Sequence, residues 1–515
     1  MSTKPQISAF HLSLLSTGGM IGAGWLFSPF YGFQVAGVGV LISWIVTAVL
    51  SLIIGLAFAE VATALPIVGG TTRLVGVTHN RTLAFTFLAL NWISYTVYLP
   101  IEAQSAIQYL GFWFHGLVSH NNNQVELSHL GLMVAVAIIL LITWFNTLII
   151  TKVAKANSWV SIWKIIIPFS LAMFFIFKYG SFNNVHVNYT STGGISFEHI
   201  LLAITGSGLA FAFSGFQNGL FLANSAKNPG RSIPYSLIIP IVIGTIIYAS
   251  LSLTFIMCLN NNQNSVVSAV APLLGLVALF SLNIIYTILF VDAVIAPLGT
   301  ANVYTAVTGR ILYGFAKDFF AKTKLLKLNE SHSPYVCLWL NAFIGILFLL
   351  PFPTWKQLVN FLSSVVVFAY LAGPLSLIIL REVAPELPRK FKLSNYKVIG
   401  YLAFVCCSLL IYWSGLDNLI WVCILLIVVI MGYSFTTKSF NLFAIIKNNI
   451  VVISYMLSLT IVSYLREKNL VLFPFDNLLI IVSGLVFCKL LINQKLTNQE
   501  INQNLELVKL EVEQG

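Results

Sequence analysis

The chain has 515 residues, of which 58% are hydrophobic and only 8% charged, with a formal net charge of +11. Soluble domains carry about 25% charged residues, so this composition excludes a water-soluble globular protein. The six cysteines lie in or beside apolar segments without Cys-x-x-Cys spacing. They read as small apolar residues and give no metal or redox centre.

The first apolar segment, from Ile7 to about Gln34, is too long for the core of a secretory leader and lacks a small-residue cleavage site. It reads as the first membrane span. Apolar runs between polar breaks then predict fourteen spans, at about 9–34, 38–65, 84–114, 130–150, 156–177, 199–222, 234–258, 273–307, 334–351, 356–380, 398–415, 418–436, 449–465 and 477–493. With the N-terminal residues 1–8 inside, 22 of the 27 Lys and Arg residues fall on one side of this topology. Lys178, Lys356, Arg466 and Lys468 fall on the other, and Lys164 lies within a span. Lys and Arg collect on cytoplasmic loops, so both termini, including the polar tail 494–515, are expected in the cytoplasm of a multi-pass protein of the cytoplasmic membrane. The basic excess is this asymmetry facing an anionic leaflet, and nucleic acid is not an expected partner.

Span one carries "STGGMIGAGWLF" (16–27), with Gly18, Gly19, Gly22 and Gly24 in seven residues. Each glycine costs a helix interior roughly 1 kcal/mol relative to alanine. Span six carries "TGSGLAFAFSGFQNG" (205–219), interrupted in the same way and adding Ser207, Ser214, Gln217 and Asn218. Small residues also let helices approach closely, and for either segment alone that reading stands beside the functional one. Glycine-interrupted spans at matching positions of two five-span halves point to an inverted-repeat transporter with its site near the midplane. Unwound backbone in a bilayer is tolerated only where it lines a cavity. Its N–H groups suit a carboxylate and its carbonyls an ammonium.

Four ionisable residues fall inside spans, each costing about 2.5–3.5 kcal/mol to insert. Glu60 is near the end of span two, where a structural role fits. Glu102, in "YLPIEAQSAIQY", either faces the substrate cavity or is structural. Lys164, in "SWVSIWKIIIP", sits mid-span, where it either exchanges a proton or is a structural lysine satisfied by the carbonyls of broken span one. Asp292, in "LFVDAVIAPLGT", either pairs with Lys164, belongs to a proton path or makes a structural hydrogen bond. His115, His120, His129 and His186 are isolated loop residues without metal-ligand spacing. No phosphate-binding loop or catalytic grouping is present in the sequence, so neither an enzyme nor an ATP-driven pump is expected.

These segments resemble the amino acid–polyamine–organocation permeases. "GGMIGAGWLFSP" resembles their span-one signature, "AEVATALPIVGG" (59–70) their second-span exit, "GRILYGFAKD" (309–318) their motif after span eight, and "FAFSGFQNG" their unwound span six. "PYVCLWLN", "LPFPTWKQLVNFLSS" and "YLAGPLSLIILR" look most like bacterial aspartate–proton symporter-type members. The resemblance implies an all-α integral membrane protein with a five-plus-five inverted-repeat (LeuT-like) core over 9–380, with repeats at about 9–177 and 199–380. Four further helices would follow at 398–493. It implies substrate contacts at Met20, Ile21, Gly22, Ala23 and Gly24, with Phe211 at the start of the span-six break as an aromatic gate and Ser214 and Gly215 giving backbone contacts. It also implies that the Lys164 ammonium takes the place of a sodium ion between spans one, five and eight.

Several relatives carry an acid where this chain has Gln217. The residue therefore lends no proton role and weakens the case for a cationic substrate. The expected partners are an amino acid, protons and the bilayer, with no cofactor and no obligate protein partner. The expected activity is proton-coupled, sodium-independent import, with aspartate or glutamate as first substrate. Amino acid/amine exchange, a neutral amino acid permease and a transport-inactive sensor are the alternatives.

Overall fold

The computed structural model describes residues 7–65, 71–121, 124–148, 153–191, 194–259, 270–320, 323–331, 333–434, 436 and 442–514. Ten described helices are long and apolar enough to cross a membrane, or eleven with the bent pair Phe197–Gly206 and Leu209–Leu220. The apolar helices Tyr335–Phe348 and Tyr396–Tyr412 are shorter and lie where two more spans are expected. The protein is a multi-pass helical membrane protein.

Span one begins at Ala9, where the Ser8 hydroxyl caps the helix by accepting from the His11 N–H. It runs to Met20, stops, and restarts as Gly24–Ala36. The break is Ile21–Ala23, shorter than the expected Met20–Gly24, because Met20 and Gly24 are each still helical. A short turn at Gly37–Gly39, with Gly37 at φ 55°, joins this half to span two, Val40–Ala64. The two form one continuous stretch of 41 residues, Gly24–Ala64.

Span three, Arg81–Leu110, is capped by Asn80 and almost wholly buried. It packs along the helix Asn283–Phe319, its most extensive partner. That helix corrects the expectation of a span at 273–307: the chain bends at 280–282 after Pro272–Leu279, and the following helix continues to Phe319. The 309–318 motif therefore lies on the helix itself, not after it. Span six is also broken twice rather than once. Gly208 at φ 76° and Gly215 at φ 107° bracket the five-residue helix Leu209–Phe213. Phe211 lies between the two breaks, not at the start of one.

A two-stranded hairpin lies among the helices. Val118–Asn121 pairs antiparallel with Gln124–Leu127, Val118 opposite Leu127. Polar and apolar residues alternate along Gln124–Leu127.

At one end of the bundle, buried Glu60 accepts from Arg381 Nε at 2.5 Å and Nη2 at 3.1 Å and from the Leu393 N–H at 2.7 Å, with Arg389 Nε 3.3 Å away. This is the structural role expected of it. Nearby, Arg73 holds Asp318 through two bonds of 2.8 and 2.6 Å. The polar tail forms the helix Asn498–Gln514, with Ile501 and Leu505 buried and the Leu496 N–H bonded to the Thr78 carbonyl. At the opposite end the last long helix, Phe475–Asn493, is fixed by buried Asp476. Asp476 accepts from Tyr412 at 2.7 Å and Arg466 at 2.8 Å, while Asn477 accepts from Trp413 at 2.8 Å.

Candidate substrate and coupling site

The two interrupted spans meet in the middle of the bundle. A Cβ on Gly24 would lie 2.9 Å from the Ala212 Cα, so the restarted half of span one and the short helix of span six touch at backbone distance. Glycine is required there by space. Tyr248, from the helix Pro229–Cys258, joins both spans. Its hydroxyl lies 2.9 Å from the Ala212 carbonyl and 3.3 Å from that of Met20, the last residue before the break.

Ile21–Ala23 leaves backbone groups that no helix completes. The Ala23 N–H donates to Glu102 Oε2 at 2.8 Å. The Ile21 carbonyl faces the Thr300 hydroxyl at 3.4 Å, and the Gly18 carbonyl accepts from the Lys164 ammonium at 3.2 Å. Lys164 also donates to Thr300 Oγ1. Spans one, five and eight thus converge on this ammonium, all of it buried. Lys164 and Glu102 interact electrostatically across the break.

Asp292 is also buried, and its Oδ1 accepts from Trp163 Nε1 at 2.8 Å. Among the described residues no ion pair within 4 Å joins it to Lys164; it holds the residue beside the lysine. Of the three roles open to it, the structure displays the hydrogen bond.

Phe211 stacks on Tyr98 at 5.9 Å and meets Trp355 edge-on at 5.9 Å. Trp355 in turn stacks on Phe27 at 4.5 Å. This aromatic layer separates the breaks from a cavity of about 780 Å³ lined by Tyr31, Gln34, Gln108, Lys356 and Asp417. The cavity lies at the end of the bundle opposite Glu60 and Arg381. Ser214 and Gly215 form the second break of span six, with the Ser214 carbonyl 3.5 Å from the Tyr304 hydroxyl. Gln217 is satisfied locally, accepting from the Gly215 N–H and donating to Tyr95. Next to it Asn218 is buried against Gly19, and neither its Oδ1 nor its Nδ2 has a hydrogen-bond partner among the described residues.

The sequence reading named these segments, with Asn218 among the polar residues of span six, but did not single out Thr300, Trp163 or Tyr248. The hydroxyl of Thr300 and the amide of Asn218 carried a faint signal, as polar groups in apolar helices. Tyr248 and Trp163 carried none, because aromatic residues are ordinary in membrane helices.

This architecture, two broken spans meeting over a buried lysine, is that of a secondary transporter. The chain belongs to the amino acid permease family, whose model matches residues 7–446. It is 29% identical over 507 residues to a glutamate/serine transporter of Bacillus subtilis, covering 94% of this chain and 92% of that one. It is 30% identical over 425 residues to the aspartate-proton symporter of the same organism, covering 81% of each. A branched-chain amino acid permease of B. subtilis is 26% identical over 449 residues, covering 82% of this chain and 90% of the relative. Among solved structures, an Eremococcus coleocola manganese transporter mutant superposes with a TM-score of 0.54 at 15% identity, covering 90% of this chain and 95% of that one. At that identity the likeness concerns the fold alone. The chain is a transporter of small molecules and not an enzyme.

Proposed function

We propose that this permease imports an amino acid into the cytoplasm in symport with protons and without sodium, and that aspartate or glutamate is its first substrate. The observation that carries the coupling is the Lys164 ammonium, donating to the Gly18 carbonyl and to Thr300. A cation fixed on the chain at the meeting of spans one, five and eight would take the place of a sodium ion. Met20–Gly24, with Ser214 and Gly215, offers backbone groups for the substrate's carboxylate and ammonium. Phe211 closes over them from the side of the large cavity. Asp292 keeps Trp163, and through it the lysine's turn of helix, in place. The basic end of the bundle, with Glu60, Arg381 and the tail, is cytoplasmic by the positive-inside rule, and the 780 Å³ cavity opens outward. The ten-helix core at 9–380 would do the transport, and the helices of 398–493 would support it. The likeness to an aspartate-proton symporter and a glutamate/serine transporter supports the substrate choice.

The test is uptake of radiolabelled aspartate, glutamate and a neutral panel into sodium-free proteoliposomes, with and without an inward proton gradient, for wild type and Lys164→Ala. Gradient-driven accumulation that the substitution reduces to exchange is expected. Accumulation that needs sodium, or that persists without the lysine, overturns the coupling. Uptake only against internal amino acid or amine makes the protein an exchanger.

A further inference from the structure

The break in span one is not vacant. The N-terminus of Gly24–Ala36 suits an anion, because its first N–H groups have no intrahelical acceptor and its dipole favours negative charge. The chain already places a carboxylate there. Glu102 Oε2 accepts the Ala23 N–H at 2.8 Å, and its other oxygen, Oε1, lies against Gly22 so closely that a Cβ on that glycine would strike it. Glu102 is 1% exposed. No side-chain cation lies within ion-pair distance of it among the described residues; what it has in place of one is the backbone of the break.

We propose that Glu102 is an internal surrogate for the substrate's α-carboxylate: it fills the half-helix site in the empty transporter, and an arriving amino acid displaces it and drives it to take up a proton from water. This rests on the amino acid permease reading above. Two carboxylates at the Ala23 N–H would lie side by side in a dry site and repel strongly. When the substrate's carboxylate takes Ala23, Glu102 must lose either its place or its charge. The groups facing it are Lys164 from span five, Tyr98 from its own helix, Tyr248 from span seven and Tyr304 from span eight. Asp292 acts on it only through Lys164. The lysine is held by Gly18 and Thr300, and the three phenols are neutral donors. None offers a new cationic partner, and protonation of the carboxylate neutralises the displaced group. No bond other than O–H is made or broken, and the proton comes from solvent. The substrate and its proton then enter as a pair, and an acidic amino acid is admitted without a second negative charge beside it.

The test is titration calorimetry on the purified full-length protein with L-glutamate, L-aspartate and L-serine, in two buffers of different ionisation enthalpy, with thermal unfolding recorded for every variant. At pH values where the empty-site Glu102 is ionised, wild type should take up about one proton per amino acid bound, and over that range its affinity should weaken by up to about tenfold per pH unit as pH rises. Glu102→Gln still offers an oxygen to Ala23 but cannot bind the proton. It should bind with a pH-independent affinity and no proton uptake. Ala23→Pro fits the φ of −61° at that residue and removes the contested N–H. It should also abolish substrate-linked proton uptake. Wild-type linkage persisting in either variant overturns the proposal, as does binding by wild type without a proton. A folded Glu102→Gln that binds no amino acid at any pH overturns it too, because Glu102 would then pair with the substrate's ammonium. Failure of wild-type proteoliposomes to take up any amino acid overturns the permease reading itself; the other outcomes concern Glu102 alone.

Discussion

Gly215 lies backbone to backbone against Gly19: a Cβ at Gly215 would be 2.9 Å from the Gly19 carbonyl carbon, and the residue sits at φ 107°. The second break of span six and the end of the first half of span one therefore touch without any side chain between them. Gly215→Ala should cost about 1–3 kcal/mol through strain and overpacking and should abolish uptake even where protein still reaches the membrane. Gly206→Ala is the control, since a Cβ there meets nothing within 4 Å. It should transport and melt as wild type does. Uptake rates normalised to protein in the membrane, with melting temperatures in detergent, check both.

Thr300 is the side-chain acceptor for the Lys164 ammonium. Thr300→Val keeps the shape and removes the hydroxyl, leaving the lysine one acceptor short. That omission costs about 1–3 kcal/mol for a buried donor and should fall on gradient-driven accumulation more than on exchange. Thr305→Val, whose hydroxyl bonds among the described residues only to the Ala301 carbonyl of its own helix, should leave the ratio of the two rates unchanged. Equal ratios in both variants would remove Thr300 from the coupling.

Glu60 accepts from Arg381 and Leu393 with almost no exposure. Removing one partner of such a pair leaves an uncompensated buried charge and costs about 3–5 kcal/mol. Arg381→Ala and Glu60→Gln should each lower thermal stability strongly, and the double variant should lose much less than the sum of the two. Additive losses in a double-mutant cycle would mean that the pair does not act as a unit.

His79 lies in the loop before span three, outside the membrane. Its Nε2 is 3.1 Å from the Leu491 carbonyl, so that nitrogen carries the proton and Nδ1 accepts from the Thr78 hydroxyl at 2.9 Å. Burial pushes its pKa down to about 4. The unfolded chain, with His near 6.5, binds this proton before the folded one does, so the contribution appears only as pH falls below about 6.5 and is complete near pH 4. It is a loss of stability of roughly 3 kcal/mol. His79→Gln should flatten the decline of melting temperature between pH 7 and pH 5, and an unchanged slope would assign the decline to other groups.

The sequence made the positions of both breaks legible because glycine clusters in apolar helices have few other uses. It could not show that span six breaks twice, since Gly208 and Gly215 look alike to Gly206 and Gly219 on paper and only their φ values separate them. Lys164 was legible as a charge needing a partner. Its partners were not, because Gly18 contributes a carbonyl, which every residue has, and Thr300 arrives from 136 residues away. Glu102 was visible as a buried acid, but sequence cannot say that its carboxylate caps a helix 79 residues distant. The helix continuing through 309–318 was misplaced because Arg310 and Lys317 mark the end of the apolar run and not the end of the helix.

The family match ends at residue 446, yet the final long helix is bonded to the span Tyr396–Tyr412 and the turn after it through buried Asp476 and Asn477. The seam is therefore not a place where the chain can be cut. A truncation before the last two helices would strip Tyr412 and Trp413 of their partners and leave both polar groups uncovered at the end of their span. Loss of transport in such a shortened protein would report a damaged scaffold, and a working minimal version would first need new partners built for those two positions.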